Sequence, residues 1–466
     1  MGKQKMIFLS IIGAVVILIS SVFLFIGNST SDKVVKGPAE FNVWVVGDET
    51  AGYSNIITSF KAKYSEYAKT EIKFTKFSSY SDYEKILQSV MLDGNSPDIF
   101  VINNSATSPN SDGLLDSKTV GIPGNVVDAD YLSKNFNRVF DELVIQNEET
   151  NEEGKKIKVS YLKGIPMGFE TLGVFYNFRK VNNVPVTWSE LDEEIQNKSN
   201  DSYSTIGIGL GLKYILNPSD ILNLLFLQNG IESYSKLGDS GAKSVLSAYT
   251  SYSTDTYNGL ENLKDQMDTL NLTTVDLFVR GKIGMLIGYP SLIKEIILAK
   301  KRNGGDYLIG DKFLRTAPIF QINAESSENS EKINLINYNY FVLSSYSNNK
   351  DMGFKFLNYL STKSAQEEYS KSFNYYIPAF RSLEDSKLQE NIEVGYDRTK
   401  FEDFLPTDVT LKGFTKGLKN EYDNYLNKNL DLELKLQANL LSKLQDFLQC
   451  NINHLINKTE FEKQCD

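Results

Sequence analysis

Short apolar runs alternate with segments of helical periodicity along most of the chain. Residues 41–46 are aromatic and β-branched, residues 53–67 carry apolar side chains at helical spacing, and residues 71–77 alternate like a strand. An amphipathic segment at 83–92 and a short buried strand at 98–102 repeat this order. Strands that alternate with helices in this way predict βαβ units and a mostly parallel sheet.

The same periodicities predict the elements of the later part of the chain. The predicted strands are 172–176, 204–212, 281–288 and 340–344. Helices are predicted at 220–228, 292–300, 351–360 and 412–456. A further helix is predicted to start near 188, and another is predicted to end with residues 275–280. Three stretches lack a regular pattern and are predicted as irregular segments or loops: 113–159, with a charged loop at 148–158, then 233–253 and 323–332.

An uncharged apolar run covers residues 6–26 and follows Lys3 and Lys5. Its length is close to the roughly 20 residues that span a bilayer, and no small-residue cleavage motif follows it. We therefore expect a single-pass membrane anchor with residues 1–5 in the cytoplasm, a polar tether at 27–39 and the bulk of the chain outside the cytoplasm. A cleaved signal peptide is the alternative, and it places the same residues outside.

Charge and composition exclude several classes of function. The formal net charge is −10, which argues against nucleic acid, because nucleic-acid binding rests on neutralising phosphates with Lys and Arg. His454 is the only His of the chain, and Cys450 and Cys465 are its only Cys. This argues against a His/Cys metal centre and against catalysis by Ser-His-Asp or Cys-His groups. We predict no metal and no cofactor, while chemistry based on carboxylates stays open.

Residues 164–177 place a single carboxylate, Glu170, at the entrance of an apolar strand. Glycine and proline punctuate the chain before it, and residues 172–176 are apolar. A carboxylate in this position suits a cleft better than a core. A hydrogen bond between Glu170 and a nearby backbone group is the structural alternative to ligand binding.

Several motifs, taken in order, resemble those of family 1 extracellular solute-binding proteins, the maltose-binding-like receptors of ABC importers. The matching segments are Trp44 to Asp48, Gly94-Asn95-Ser96-Pro97-Asp98-Ile99-Phe100, Gly164 to Asn177, Thr187-Trp188-Ser189-Glu190-Leu191, Phe278-Val279-Arg280-Gly281-Lys282-Ile283-Gly284-Met285 and Ile377-Pro378-Ala379. Each motif is weak alone, but their common order makes the resemblance specific.

The resemblance implies an α/β, two-lobed periplasmic-binding-protein-like fold that holds a ligand in the interlobe cleft and closes about a hinge. On this reading lobe 1 comprises residues 40–168 and about 318–375. Lobe 2 comprises residues 169–317 and about 376–466, including the C-terminal helices. Ligands of open α/β sheets bind at the carboxyl ends of strands, so polar loops after strands are the expected contacts.

Eight residues in such positions are the candidate ligand-binding residues: Asp48, Glu49, Asn103, Asn104, Glu170, Tyr289, Tyr340 and Tyr376. For the acidic pair 48–49 and the amide pair 103–104, the alternative is an ordinary solvated turn. Many sugar-binding members of the family have a Trp where this chain has Ser291. This departure argues against a maltose-like ligand, although Tyr289 could stack in its place.

The resemblance implies a non-enzymatic, monomeric receptor that captures a small solute, with carbohydrate favoured, and delivers it to an ABC permease in the membrane. A sensing or adhesion module on the same fold is one alternative. A carbohydrate-active enzyme that uses two carboxylates is another.

Outside the cytoplasm, the two cysteines of the tail could pair. Cys450 and Cys465 would then enclose a short loop, with free or intermolecular thiols as the alternative.

Overall fold

The computed structural model describes residues 37–78, 80–105, 118–150, 154–199, 203–206, 216–232, 240–251, 261–304, 313–323, 331–383, 403–404 and 408–413. The predicted membrane segment at 6–26, most of the tether, nearly all of the predicted helix at 412–456, Cys450 and Cys465 lie outside these residues. None of the helices that the model describes combines the length and the apolar character needed to cross a bilayer.

The strands of the described chain are short, and most of them lie in two sheets. They are β1 (Glu40–Val46), β2 (Glu71–Phe77), β3 (Ile99–Asn103), β4 (Thr119–Val120), β5 (Ile122–Pro123), β6 (Val144–Thr150), β7 (Lys156–Leu162), β8 (Ile165–Thr171), β9 (Gly173–Asn177), β10 (Ser204–Ile206), β11 (Ile283–Gly288), β12 (Leu314–Pro318), β13 (Lys332–Ser344), β14 (Ile377–Pro378) and β15 (Val409–Lys412).

The helices alternate with these strands, as the periodicities predict. They are α1 (Ser54–Lys63), α2 (Tyr80–Leu92), α3 (Ala129–Asn135), α4 (Trp188–Lys198), α5 (Pro218–Gln228), α6 (Ser240–Ser251), α7 (Glu261–Leu270), α8 (Thr274–Val279), α9 (Leu292–Arg302), α10 (Lys350–Leu360) and α11 (Lys363–Ser372). Short 3-10 turns cover Thr50–Tyr53, Ser65–Tyr67 and Arg138–Leu143. Helix α4 begins where the sequence predicts, because the Thr187 side chain accepts the Glu190 N–H and caps it.

The first sheet has the strand order β14-β8-β13-β3-β1-β2, and β4 and β15 also pair with β13. Strand β1 runs parallel to both β2 and β3, whereas β13 is antiparallel to β3 and to β8. The second sheet has the order β10-β11-β9-β12, in which only β10 and β11 are parallel. Both sheets are therefore mixed, and the expectation of a mostly parallel sheet is wrong.

The two sheets divide the described chain into two lobes. We call the first sheet with the helices packed on it lobe 1, and the second sheet with its helices lobe 2. Strand β8 pairs in the first sheet and β9 in the second, with only Leu172 between them. A second crossing runs from β12 in the second sheet to β13 in the first. The residue ranges predicted for the lobes stay a prediction.

The two crossings are joined by a side-chain hydrogen bond, and Phe404 packs against the first of them. Asn334 Nδ2 donates to the Leu172 carbonyl at 2.7 Å, and Asn334 is almost fully buried. The Thr171 hydroxyl donates to the Phe404 carbonyl. A Cβ on Gly173 would lie 2.5 Å from the Phe404 ring, so only glycine leaves room for this ring beside β9.

Two stretches predicted as irregular contain regular elements. Strands β6 and β7 form an antiparallel hairpin that includes most of the predicted charged loop at 148–158. Glu148 faces Lys158 across it, and Lys156 forms an ion pair with Glu148 at 3.3 Å, so charges that resemble a loop are cross-strand partners. Helix α6 lies within 233–253, where small polar residues hide the apolar spacing of Ala242, Val245 and Tyr249. The prediction of a helix from residue 412 is also wrong at its start, because Lys412 ends strand β15.

Candidate functional site

A cavity lies in lobe 1, at the edge of the first sheet where β1 and β3 end, and lobe 2 reaches its lining residue Glu170 through the Ser291 N–H. Parallel strands end at the same edge, which brings the turn after β1 next to the end of β3. The cavity has a volume of about 40 Å³, which is room for a few water molecules. Its polar lining residues are Asp48, Asn103, Glu170, Asn337, Tyr338, Asn339, Tyr369 and Tyr376.

Asp48 is a buried carboxylate held by three tyrosines. It follows Gly47, whose φ of +81° turns the chain after β1. Its Oδ2 accepts hydrogen bonds from Tyr53 at 2.6 Å and Tyr369 at 2.9 Å, and its Oδ1 accepts one from Tyr375 at 3.4 Å. Burial raises the pKa of Asp48, while the tyrosine hydrogen bonds and the Lys294 charge oppose this effect.

Glu170 is the second buried carboxylate of the cavity, and it connects the lobes. It lies on β8 in lobe 1, and its Oε1 accepts the backbone N–H of Ser291 in lobe 2 at 2.8 Å. Burial raises the pKa of Glu170 to about 7, and the Asp48 charge adds to this effect. Ser291 and Lys294 act in the opposite direction. The backbone hydrogen bond is the structural alternative that the sequence left open, and ligand binding by Glu170 stays a prediction.

Lys294 is a cavity-side residue that the sequence analysis missed. It lies in the first turn of α9, and its Nζ is 3.3 Å from the centre of the Tyr375 ring. Burial lowers the pKa of this half-buried ammonium group, and the charges of Asp48 and Glu170 oppose the change. The signal for it was present, since α9 follows the turn after a strand, where binding residues of α/β folds gather.

Three asparagines form a connected amide cluster beside the carboxylates. Asn103 Nδ2 donates to Asn337 Oδ1 at 2.7 Å and to Asn339 Oδ1 at 2.9 Å. Asn103 was a candidate, but Asn337 and Asn339 were missed because they lie within strand β13 and not in a loop. The available signal was that Asn337 and Asn339 alternate with Tyr338 and Tyr340 along the strand.

Tyr289 lies in lobe 2, outside the cavity lining, and takes part in a second contact across the cleft. Its hydroxyl donates to Asp220 Oδ2 at 2.7 Å, and both residues are buried. Asn337 of lobe 1 also hydrogen-bonds to Tyr289. Tyr289 therefore links helix α5 to the amide cluster.

The remaining candidates divide between the cavity and other surroundings. Tyr376 lines the cavity, and its ring stacks on Tyr369 with centres 6.0 Å apart. Glu49 points to solvent, with 72% of its side chain exposed, and forms an ion pair with Lys76 that lowers its pKa. Asn104 is buried against β13, where it accepts the Tyr338 N–H at 3.0 Å and donates to the Ile336 carbonyl at 3.1 Å. Tyr340 is buried in the core of lobe 1.

The described residues contain no group of three or more His, Cys, Asp or Glu side chains placed to hold a metal ion. The cavity instead offers two carboxylates, an amide cluster, tyrosine rings and one nearby ammonium group. This set can accept and donate hydrogen bonds and can pack against an apolar or cationic surface.

Residues 55–395 match the family described as bacterial extracellular solute-binding protein. The chain belongs to this family. The resemblance drawn from the motifs is thereby confirmed, and so is the expectation of a binding protein and not an enzyme. No curated protein matches the sequence of this solute-binding protein.

Solved structures share its fold at low sequence identity. An ABC substrate-binding protein of Listeria monocytogenes in complex with cycloalternan is 15% identical, with a TM-score of 0.62 over 90% of this chain and 99% of that one. The sugar-binding protein of Xanthomonas citri is 15% identical, with a TM-score of 0.58 over 90% and 98%. The maltotriose-binding protein of Thermus thermophilus is 13% identical, with a TM-score of 0.56 over 90% and 99%. The prediction of a two-lobed α/β fold is confirmed.

Proposed function

We propose that this solute-binding protein captures a sugar or oligosaccharide between its lobes outside the cytoplasm and delivers it to an ABC permease. The observation that carries the proposal is the pair of buried carboxylates, Asp48 and Glu170, at a cavity of lobe 1 where Glu170 also binds the Ser291 N–H of lobe 2. Buried carboxylates and amides bind hydroxyl groups, and tyrosine faces suit the C–H surface of a sugar ring.

The cavity is too small for such a solute in the state described. Ligand pockets commonly have volumes of roughly 300–1,000 Å³, whereas this cavity has about 40 Å³. The lobes must therefore separate at the contact between Glu170 and Ser291 before a solute enters, and they close again on it. Ligand contacts to both lobes supply the free energy of closure.

The relatives support the carbohydrate class, since the structures named above include a protein bound to cycloalternan and one that binds maltotriose. The family name supports a location outside the cytoplasm. We propose further that residues 6–26 anchor the protein in the membrane and that residues 27–39 tether it. On this proposal the protein works as a monomer beside its permease, without nucleic-acid partners.

Calorimetry and small-angle X-ray scattering over a panel of sugars test the proposal. We expect saturable binding by one or more sugars together with a smaller radius of gyration. Glu170→Gln should weaken binding by about tenfold or more, because a charged acceptor is lost. Glu49→Gln is the matched control, since Glu49 points to solvent. Release of a chemical product, or binding without compaction, would contradict the proposal.

A further inference from the structure

The start of helix α9 places two donor groups of lobe 2 against lobe 1. The Ser291 N–H donates to Glu170, and the Lys294 ammonium lies on the face of the Tyr375 ring. Both groups belong to lobe 2 and both are donors, one of them cationic. A ligand that replaces lobe 2 at these positions would have to supply a hydrogen-bond donor and a cation.

The Lys294 ammonium group lies where an aromatic ring and a buried carboxylate can bind a cation. The Tyr375 hydroxyl donates to Asp48, so the ring that carries the ammonium group is fixed beside a buried carboxylate. Tyr375 also contacts Tyr376, with ring centres 4.5 Å apart, and Tyr376 stacks on Tyr369. An aromatic face next to a desolvated carboxylate binds ammonium groups.

The charges of the cavity become unbalanced when the lobes open. Its lining residues, all within the described chain, include two carboxylates and no lysine or arginine. Lys294 supplies the nearby positive charge from lobe 2, and it moves away with Ser291 when a solute enters. Asp48 and the Tyr375 face then lack a cation while still enclosed by tyrosines.

We propose that the solute is an amino sugar whose protonated amine takes the place of the Lys294 ammonium group on Tyr375 beside Asp48. The inference rests on the proposed function, because the solute enters the same cleft. The hydroxyl groups of the sugar donate to Glu170 and exchange hydrogen bonds with the amides of the asparagine cluster. Lys294 is then an internal competitor that the ligand displaces.

Matched sugars that differ at one substituent test this inference. Calorimetry is run with glucose, glucosamine and N-acetylglucosamine and with their β-1,4-linked disaccharides, on the full chain and on Lys294→Met. We expect each amine to bind about tenfold or more tighter than its neutral partners. Lys294→Met should tighten amine binding further, by about threefold to tenfold. Lys301→Met, an exposed change on the same helix, is the control and should leave affinities unchanged.

The outcomes separate this inference from the proposed function. Neutral sugars that bind as tightly as amines, or weaker amine binding in Lys294→Met, would overturn the amine site and leave sugar capture intact. Spermidine is included as an amine without a sugar ring. If it alone binds and compacts the protein, the amine site is supported and the carbohydrate class is overturned. If no compound of the panel binds, both proposals are overturned.

Discussion

Replacing Glu170 with glutamine should change how the stability of the protein depends on pH. The Glu170 carboxylate is 7% exposed, and burial raises its pKa from an ordinary 4.5 to about 7. The folded state therefore holds a proton that the unfolded state has already released at intermediate pH. Between about pH 4.5 and pH 7 the unfolded chain binds fewer protons than the folded one, so stability falls as pH rises through this range. Above about pH 7 the carboxyl is ionised in both states, and its contribution to stability no longer changes.

The size of the effect follows from these two pKa values. At about 1.4 kcal/mol for each pH unit, ionising the buried carboxylate lowers the free energy of unfolding by about 2–3 kcal/mol between pH 5 and pH 8. Glutamine has a similar shape and no charge, so the variant lacks this loss. A chain of this length unfolds with an entropy near 1 kcal/mol per kelvin, so wild type should lose about 2–3 °C in Tm relative to the variant.

Scanning calorimetry of both proteins from pH 5 to pH 8 measures this difference. The comparison uses the change between pH values, so contacts that glutamine cannot reproduce cancel. Glu49→Gln is the control. Lys76 lowers the pKa of the exposed Glu49, and a carboxylate with a lowered pKa does not make the protein less stable as pH rises. If the difference in Tm between wild type and Glu170→Gln stays constant from pH 5 to pH 8, the raised pKa of Glu170 is refuted.

Three further substitutions test the crossings and one helix start. Gly173→Ala places a Cβ 2.5 Å from the Phe404 ring, and thermal unfolding should show a loss of about 1–3 kcal/mol. Asn334→Ala removes the 2.7 Å hydrogen bond to the Leu172 carbonyl. We expect a loss of about 1–3 kcal/mol in denaturant unfolding and faster amide exchange at the crossing. Thr187→Ala removes the cap of α4, and the melting curve should show a loss of about 1 kcal/mol.

Periodicity located most elements of the fold because local apolar spacing decides them. Strand β1 and helix α10 lie within a residue of the predicted bounds. The hairpin of β6 and β7 was missed because its stabilising charge pairs act across strands and look like a loop in one dimension. The strand directions were also missed, since pairing between β3 and β13 joins residues more than 200 positions apart.

The sequence could predict only those site residues whose position next to a strand is visible within one short segment. Glu170, Asp48, Asn103 and Tyr376 line the cavity because each lies next to the end or the edge of a strand. Lys294 follows the turn after a strand but was missed, because its contact with the site depends on Tyr375, which is distant in sequence. Glu49 was misleading for a local reason, since neighbours in a turn point in opposite directions and only Asp48 points inward.

Only Leu172 separates β8 of lobe 1 from β9 of lobe 2, so residues near the end of β8 lie close to the crossing between the lobes. Glu170, which we propose as a ligand contact, precedes Leu172 by two residues and lies about 7 Å along the strand from the crossing. A shift of about 1 Å at that distance corresponds to a rotation of about 8°, which moves a point about 30 Å away by about 4 Å. Asn337 pairs with Glu170 on the neighbouring crossing strand, so a solute bound to Glu170 as proposed lies beside both crossing strands. On the proposed function, angstrom-scale adjustments around a bound solute would be amplified into the displacement of a whole lobe surface.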